Sequence, residues 1–110
     1  LYCDKFRHLQ GNFNEVYLDE RCTPVWWFTS FMTKRKEKLK EFLLNKGIQT
    51  RDFFYPLHLQ PCYKYMNISS DFSLSENIYM QGISLPSSYN LTLEEQNYII
   101  NSVYEFYGKF

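Results

Sequence analysis

The chain has 110 residues, enough for one domain with a modest core. Hydrophobic residues make up 45% of it and aromatics 20%, which excludes a disordered, highly charged polymer. Twelve basic residues balance twelve acidic ones, and a formal charge of zero argues against a nucleic-acid binder, which needs a basic face.

Residues 1–10 read as the end of a helix closed by Gly11, and Asn12 to Thr23, without a clear period, as a loop. Val25-Trp26-Trp27-Phe28-Thr29-Ser30-Phe31-Met32 is rich in aromatic and β-branched residues. It predicts a central strand, apolar on both faces. Thr33 is placed to cap a helix over 34–46, with Leu39, Phe42, Leu43 and Lys46 on one face. Lys34, Arg35, Lys36, Lys38 and Lys40 read as its solvated side. Gly47 stops this helix, and Ile48 is placed for the hydrophobic contact that closes such an end. Gln49 to Tyr55 predicts a second strand, ended by Pro56, and Pro61 keeps the next stretch irregular. Ser73-Leu74-Ser75-Glu76 has capping-box spacing for a helix to Gln81, stopped by Gly82. Ile83-Ser84-Leu85 is a short strand before Pro86. A second capping box, Thr92-Leu93-Glu94-Glu95, opens a helix carrying Ile99, Ile100, Val103, Phe106 and Tyr107 and ending at Gly108. The expected fold is α/β, a small sandwich of about three strands with helices on one face.

Two residues stand out as candidates for chemistry. His58 lies between Pro56 and Pro61, where a stiff backbone holds the imidazole in place. The alternative is a histidine merely bonded to nearby backbone. Arg51, among aromatics, offers a planar fork for a carboxylate or phosphate. Its alternative is an ion pair with Asp52 or another acid. Cys3, Cys22 and Cys62 form no CxxC, and His, Asp and Glu do not cluster at metal-ligand spacing. No disulfide framework and no metal site is therefore expected, and a reducing cytoplasm fits best. The triplets Asn67-Ile68-Ser69 and Asn90-Leu91-Thr92 read as chance matches to a glycosylation signal. The longest apolar run, Val25 to Phe28, is too short to span a bilayer, so no membrane role is expected. The chain opens at Leu1 without a Met or a targeting pattern, and reads as one segment of a longer polypeptide. Ten Tyr, ten Phe and two Trp exceed what so small a core can hide, so part of this surface is expected to meet another domain or subunit.

Several of these segments, in order, resemble the C-terminal domain of the DegT/DnrJ-type sugar aminotransferases. They are Pro24 to Thr29, the helix ending Asn45-Lys46-Gly47-Ile48, the run Thr50-Arg51-Asp52-Phe53-Phe54-Tyr55-Pro56-Leu57-His58-Leu59-Gln60-Pro61-Cys62-Tyr63, the Ser75-Glu76 helix, and Ser84 to Tyr89 with Leu91 to Gln96. The resemblance spans nearly the whole chain, and the pattern from Arg51 to Tyr63 followed by Leu85-Pro86 is its most specific part. It implies a fold-type-I enzyme using pyridoxal 5'-phosphate. Such enzymes move an amino group, usually from glutamate, to a keto group on a nucleotide-linked sugar. The pattern looks nearest to members acting on 4-keto-6-deoxy sugars. Residues 1–110 would be the small domain, with 1–23 leading into it. The large domain, with the Schiff-base lysine and most cofactor contacts, would lie upstream. Ser30 to Lys34 has a serine-to-lysine order, but the spacing is wrong and no Gly-Glu-Gly-Gly follows, so Lys34 is not that lysine. The resemblance puts His58 at the rim of the active site, with Arg51, Phe54 and Tyr55 on the approach, and the site at a homodimer interface. No catalytic residue is expected within the segment, and by itself it should be inactive. The rival reading is a non-enzymatic α/β interaction module that keeps the same scaffold.

Overall fold

The computed structural model of the chain describes residues 1–25, 27–66 and 69–108. Helix α1 (Tyr2–Phe6) and a following 3-10 turn form the expected helix end, and Gly11 leaves it with φ +92°, open chiefly to glycine. The stretch read as a loop contains a strand, β1 (Asn14–Glu15), paired antiparallel with Met32 and Phe31 of β2 (Thr29–Met32). Both β1 residues are exposed, so backbone pairing holds a segment that shows no apolar side in the sequence.

β2 is interior to the sheet, as expected, but shorter. The Trp27 N–H donates to the Val25 carbonyl (2.9 Å), which turns the backbone before any ladder can form. Val25 and Trp27 are 93% and 74% exposed. Trp26 lies outside the described residues, as do Asn67 and Ile68 of the first glycosylation triplet.

Helix α2 (Lys36–Asn45) begins two residues later than the 34–46 expectation. Thr33 closes the preceding turn instead of capping the helix: its hydroxyl accepts from the Arg35 N–H (3.1 Å) and lies 2.7 Å from the Tyr107 hydroxyl. The other end forms as read. The Ile48 N–H donates to the Leu43 carbonyl (2.8 Å) and the Gly47 N–H to that of Leu44 (2.9 Å), with Gly47 at φ +76°. The basic run is not uniformly solvated. Lys36 is only 4% exposed; its ammonium donates to the Tyr79 carbonyl (2.7 Å) and pairs with Asp52 (3.1 Å).

The second expected strand shrinks to β3 (Arg51–Asp52), an edge strand paired antiparallel with Ser84 and Ile83 of β4 (Gly82–Leu85). In this register Phe53 lies opposite Gly82, the first residue of β4, and the residues beyond it lose their partner because α3 (Ser73–Gln81) directly precedes Gly82. The box read at Ser73 does not form: Phe72 takes the cap position, with no side-chain capping bond. The box at α4 (Leu93–Phe106) does form. The Thr92 hydroxyl accepts from the Glu95 N–H (3.2 Å), and the Glu95 carboxylate accepts from the Thr92 N–H (2.8 Å).

The mixed α/β fold is as expected, with one strand more: the sheet has four strands in the order β1-β2-β4-β3, all neighbours antiparallel. Alternation along the strands separates its two faces. Phe31, Ile83 and Leu85 point into a core with Phe6 of α1, Leu39 and Leu43 of α2, and Ile99, Ile100 and Val103 of α4. Ser30 lies opposite Ser84, and Ser84 opposite Arg51, so these three face the other way. Three helices thus form the expected layer on one face. The fourth, α3, has no buried residue and lines a pocket on the other face.

Candidate functional site

Residues 53–66 leave the sheet at β3 and fold over its polar face as irregular chain and two 3-10 turns (Leu57–Leu59 and Pro61–Met66). Between them, the sheet and α3 lies a pocket of about 940 Å³, within the size range of small-molecule sites. Its wall carries Phe28, Phe53, Phe54, Tyr55, Tyr63, Phe72 and Tyr79; the hydroxyls of Ser30 and Ser84, 3.1 Å apart, lie on the sheet side.

All four residues singled out from the sequence, Arg51, Phe54, Tyr55 and His58, line this one pocket. Arg51 is carried by β3 in register with Ser84, on the pocket side of the sheet. The ion pair weighed for it with Asp52 does not form. Asp52 also borders the pocket, but it pairs with Lys36 (3.1 Å) and Lys40 (2.7 Å) of α2. Burial pushes the Asp52 carboxyl up, but hydrogen bonds from Lys40 and Lys36 outweigh it and hold the carboxyl below its ordinary value. Arg51 is the one Arg or Lys among the described residues lining the pocket. Phe54 is 84% exposed and meets Phe28 edge to face, with centroids 6.3 Å apart. Tyr55 packs edge to face on Tyr79 at 5.2 Å.

His58 sits in the first 3-10 turn, where the Leu59 N–H donates to the Pro56 carbonyl (3.1 Å) and Pro56 is buried. The imidazole is held by side chains, not by nearby backbone. Its Nε2 lies 2.8 Å from Glu76 Oε1, and its ring stacks on Phe72 with centroids 4.4 Å apart. Sequence reasoning missed both partners. Glu76 has the spacing of a capping-box acid, and that local pattern hid its long-range contact.

An aromatic pocket with one guanidinium, one anchored imidazole and paired hydroxyls suits an organic anion with flat and hydroxylated parts. Pyridoxal phosphate, by contrast, needs a lysine amine as its anchor. No lysine is among the described residues lining the pocket, and Lys36 is engaged by Asp52 and Tyr79. This chain's pocket therefore does not fit the cofactor's covalent anchor.

A two-layer α/β domain with a polar, aromatic-lined pocket on its open face is the class that the geometry defines. Residues 1–104 match the sequence pattern of the DegT/DnrJ/EryC1/StrS aminotransferase family, and the chain belongs to that family. It is 37% identical over 89 residues to the GDP-perosamine synthase of Escherichia coli O157:H7, an alignment covering 76% of this chain and 23% of that protein. It is 31% identical over 88 residues to the GDP-perosamine synthase of Vibrio cholerae, covering 76% of this chain and 24% of that protein. A DegT DnrJ EryC1 StrS aminotransferase from Brucella abortus superposes with a TM-score of 0.85 at 25% identity, over 98% of this chain and 29% of that one. The chain thus spans about a quarter of the length of these relatives. Among the described residues, no helix is long and apolar enough to cross a membrane.

Proposed function

We propose that residues 1–110 form the C-terminal small domain of a cytoplasmic, pyridoxal-phosphate-dependent sugar aminotransferase, with 1–23 leading into it. The complete protein would transfer an amino group from glutamate to a 4-keto-6-deoxy nucleotide sugar of the GDP-perosamine type. The large domain upstream would carry the Schiff-base lysine. The observation that supports this best is the convergence of Arg51, Phe54, Tyr55 and His58 on one pocket, in a chain of this family. The bound cofactor supplies the electron sink for amino transfer. This chain's part is to bind and orient the sugar nucleotide: Arg51 attracts its anionic portion, the aromatic wall excludes water, and His58 takes or gives a hydrogen bond at a sugar hydroxyl. The open side of the pocket would be closed by the large domain or the second subunit of a homodimer.

The experiment compares the 110-residue chain, the complete protein and its His58→Ala variant for sugar-dependent formation of 2-oxoglutarate from glutamate. The chain alone should be inactive and the complete protein active. His58→Ala should lower turnover about ten- to hundredfold, the weight of one hydrogen bond to a polar partner, with the melting temperature preserved. An early-melting variant with normal turnover per folded molecule would make His58 a packing residue. An inactive complete protein would leave the interaction module as the better reading.

A further inference from the structure

We infer that Glu76 is a positioning residue for His58, and that it assigns the ring's two nitrogens different tasks. The inference rests on the reading of His58 as a substrate-contacting residue. Glu76 Oε1 lies 2.8 Å from His58 Nε2. An ionised carboxylate can only accept hydrogen bonds, so Nε2 carries the proton and donates it. When the ring is neutral, Nδ1 is then left without a proton, as an acceptor. Among the described residues no protein group is bonded to Nδ1, so it is the nitrogen left for a ligand hydroxyl in the pocket that His58 lines.

The geometry around the pair supports a built device. Phe72 stacks on the imidazole at an interplanar angle of 19°, fixing the plane of the ring. The Pro56–Leu59 turn fixes its backbone. Glu76 then fixes rotation about the last bond, since a ring flip would exchange Nε2 for a carbon at the carboxylate. The His58 side chain is 16% exposed, so the bond is partly shielded from competing water. The carboxylate is also free of a capping box, because the cap position of α3 is held by Phe72, and Asp71 accepts from the Ser73 N–H instead.

The test reads the ring proton directly. The sequence has two histidines, His8 and His58, so a 15N-histidine-labelled chain gives a simple spectrum, with His58→Ala identifying the second ring. His58 should show an Nε2–H resonance protected enough from exchange to be seen. It should vanish in Glu76→Ala and survive in Glu94→Ala, an exposed acid on another helix. A protected Nδ1–H in its place, or an Nε2–H unaffected by Glu76→Ala, overturns the proposal whatever the protein's activity. In the complete enzyme, Glu76→Ala should cut kcat/KM about tenfold at unchanged melting temperature, and Glu76→Asp should recover part of it. If His58→Ala loses turnover while Glu76→Ala keeps it, the positioning role falls and the function of His58 stands. If neither variant changes turnover, the substrate-contact reading of His58 falls.

Discussion

Gly82 shows how one missing side chain shapes the pocket. Its φ of −76° is open to any residue, so backbone freedom is not the reason for glycine there. An added Cβ would sit 2.4 Å from ring carbons of Phe53, the residue that covers the start of β4 and walls the pocket. Gly82→Ala should therefore destabilise the chain by about 1–3 kcal/mol through overpacking. A shifted urea midpoint checks this; an unchanged midpoint would mean that Phe53 moves aside freely. Asp52 acts at the same scale. Its carboxyl is held below the ordinary aspartate value in the folded chain, so its stabilising contribution is complete above that value, about 3.9. The contribution is lost as pH falls through the folded value. Acidification below about pH 4 should thus narrow the stability gap between the wild type and Asp52→Asn in urea unfolding.

At the scale of elements, two identical-looking signals had different fates. Thr92 and Glu95 cap α4 reciprocally, whereas Ser73 and Glu76 do not cap α3. Thr92→Ala should cost about 1 kcal/mol. Ser73→Ala should cost less, about 0.5 kcal/mol, because its exposed hydroxyl bonds Asp71 and caps nothing, and the Ser73 N–H keeps its own bond to Asp71 in the variant. Equal losses in parallel denaturation curves would contradict the distinction. The difference is physical: among the described residues Glu95 bonds Thr92 alone, while His58 approaches within 2.8 Å of Glu76 once the 53–66 segment folds over the sheet. The closing turn of α2 needed no such context. Gly47 and Ile48 complete it with bonds to Leu44 and Leu43 within a few residues, and the sequence shows all of them.

For the molecule as a whole, the aromatic surplus divides in two. In the core Phe13 stacks on Phe31, with centroids 4.5 Å apart, and Phe6 meets both edge to face at 5.1 and 5.3 Å. Trp27, Phe54, Tyr55 and Tyr65 remain exposed. A surface of this kind marks a contact site. The isolated chain should bind a hydrophobic dye or self-associate, and Phe54→Ser with Trp27→Ser should reduce either effect. Strictly monomeric elution at high concentration, with no dye bound, would remove the support for a covering partner.

What the sequence by itself determined is what depends on near neighbours or on side-chain chemistry alone. The helix ends at Gly11, Gly47 and Gly108, the box at Thr92, and the apolar faces of α2 and α4 were legible because each rests on residues close in the chain. Only the tertiary structure decided the rest. β1 exists because β2 offers it free backbone groups, and β3 is short because its partner strand begins at Gly82. Lys36 is buried because Asp52 and the Tyr79 carbonyl arrive from other elements to receive its charge. The Glu76–His58 contact has the same origin. Hydrogen bonds and ion pairs act over about 3 Å in space, without regard to distance along the chain. A pattern of neighbours therefore could not reveal which of two candidate caps would be drawn away into the pocket.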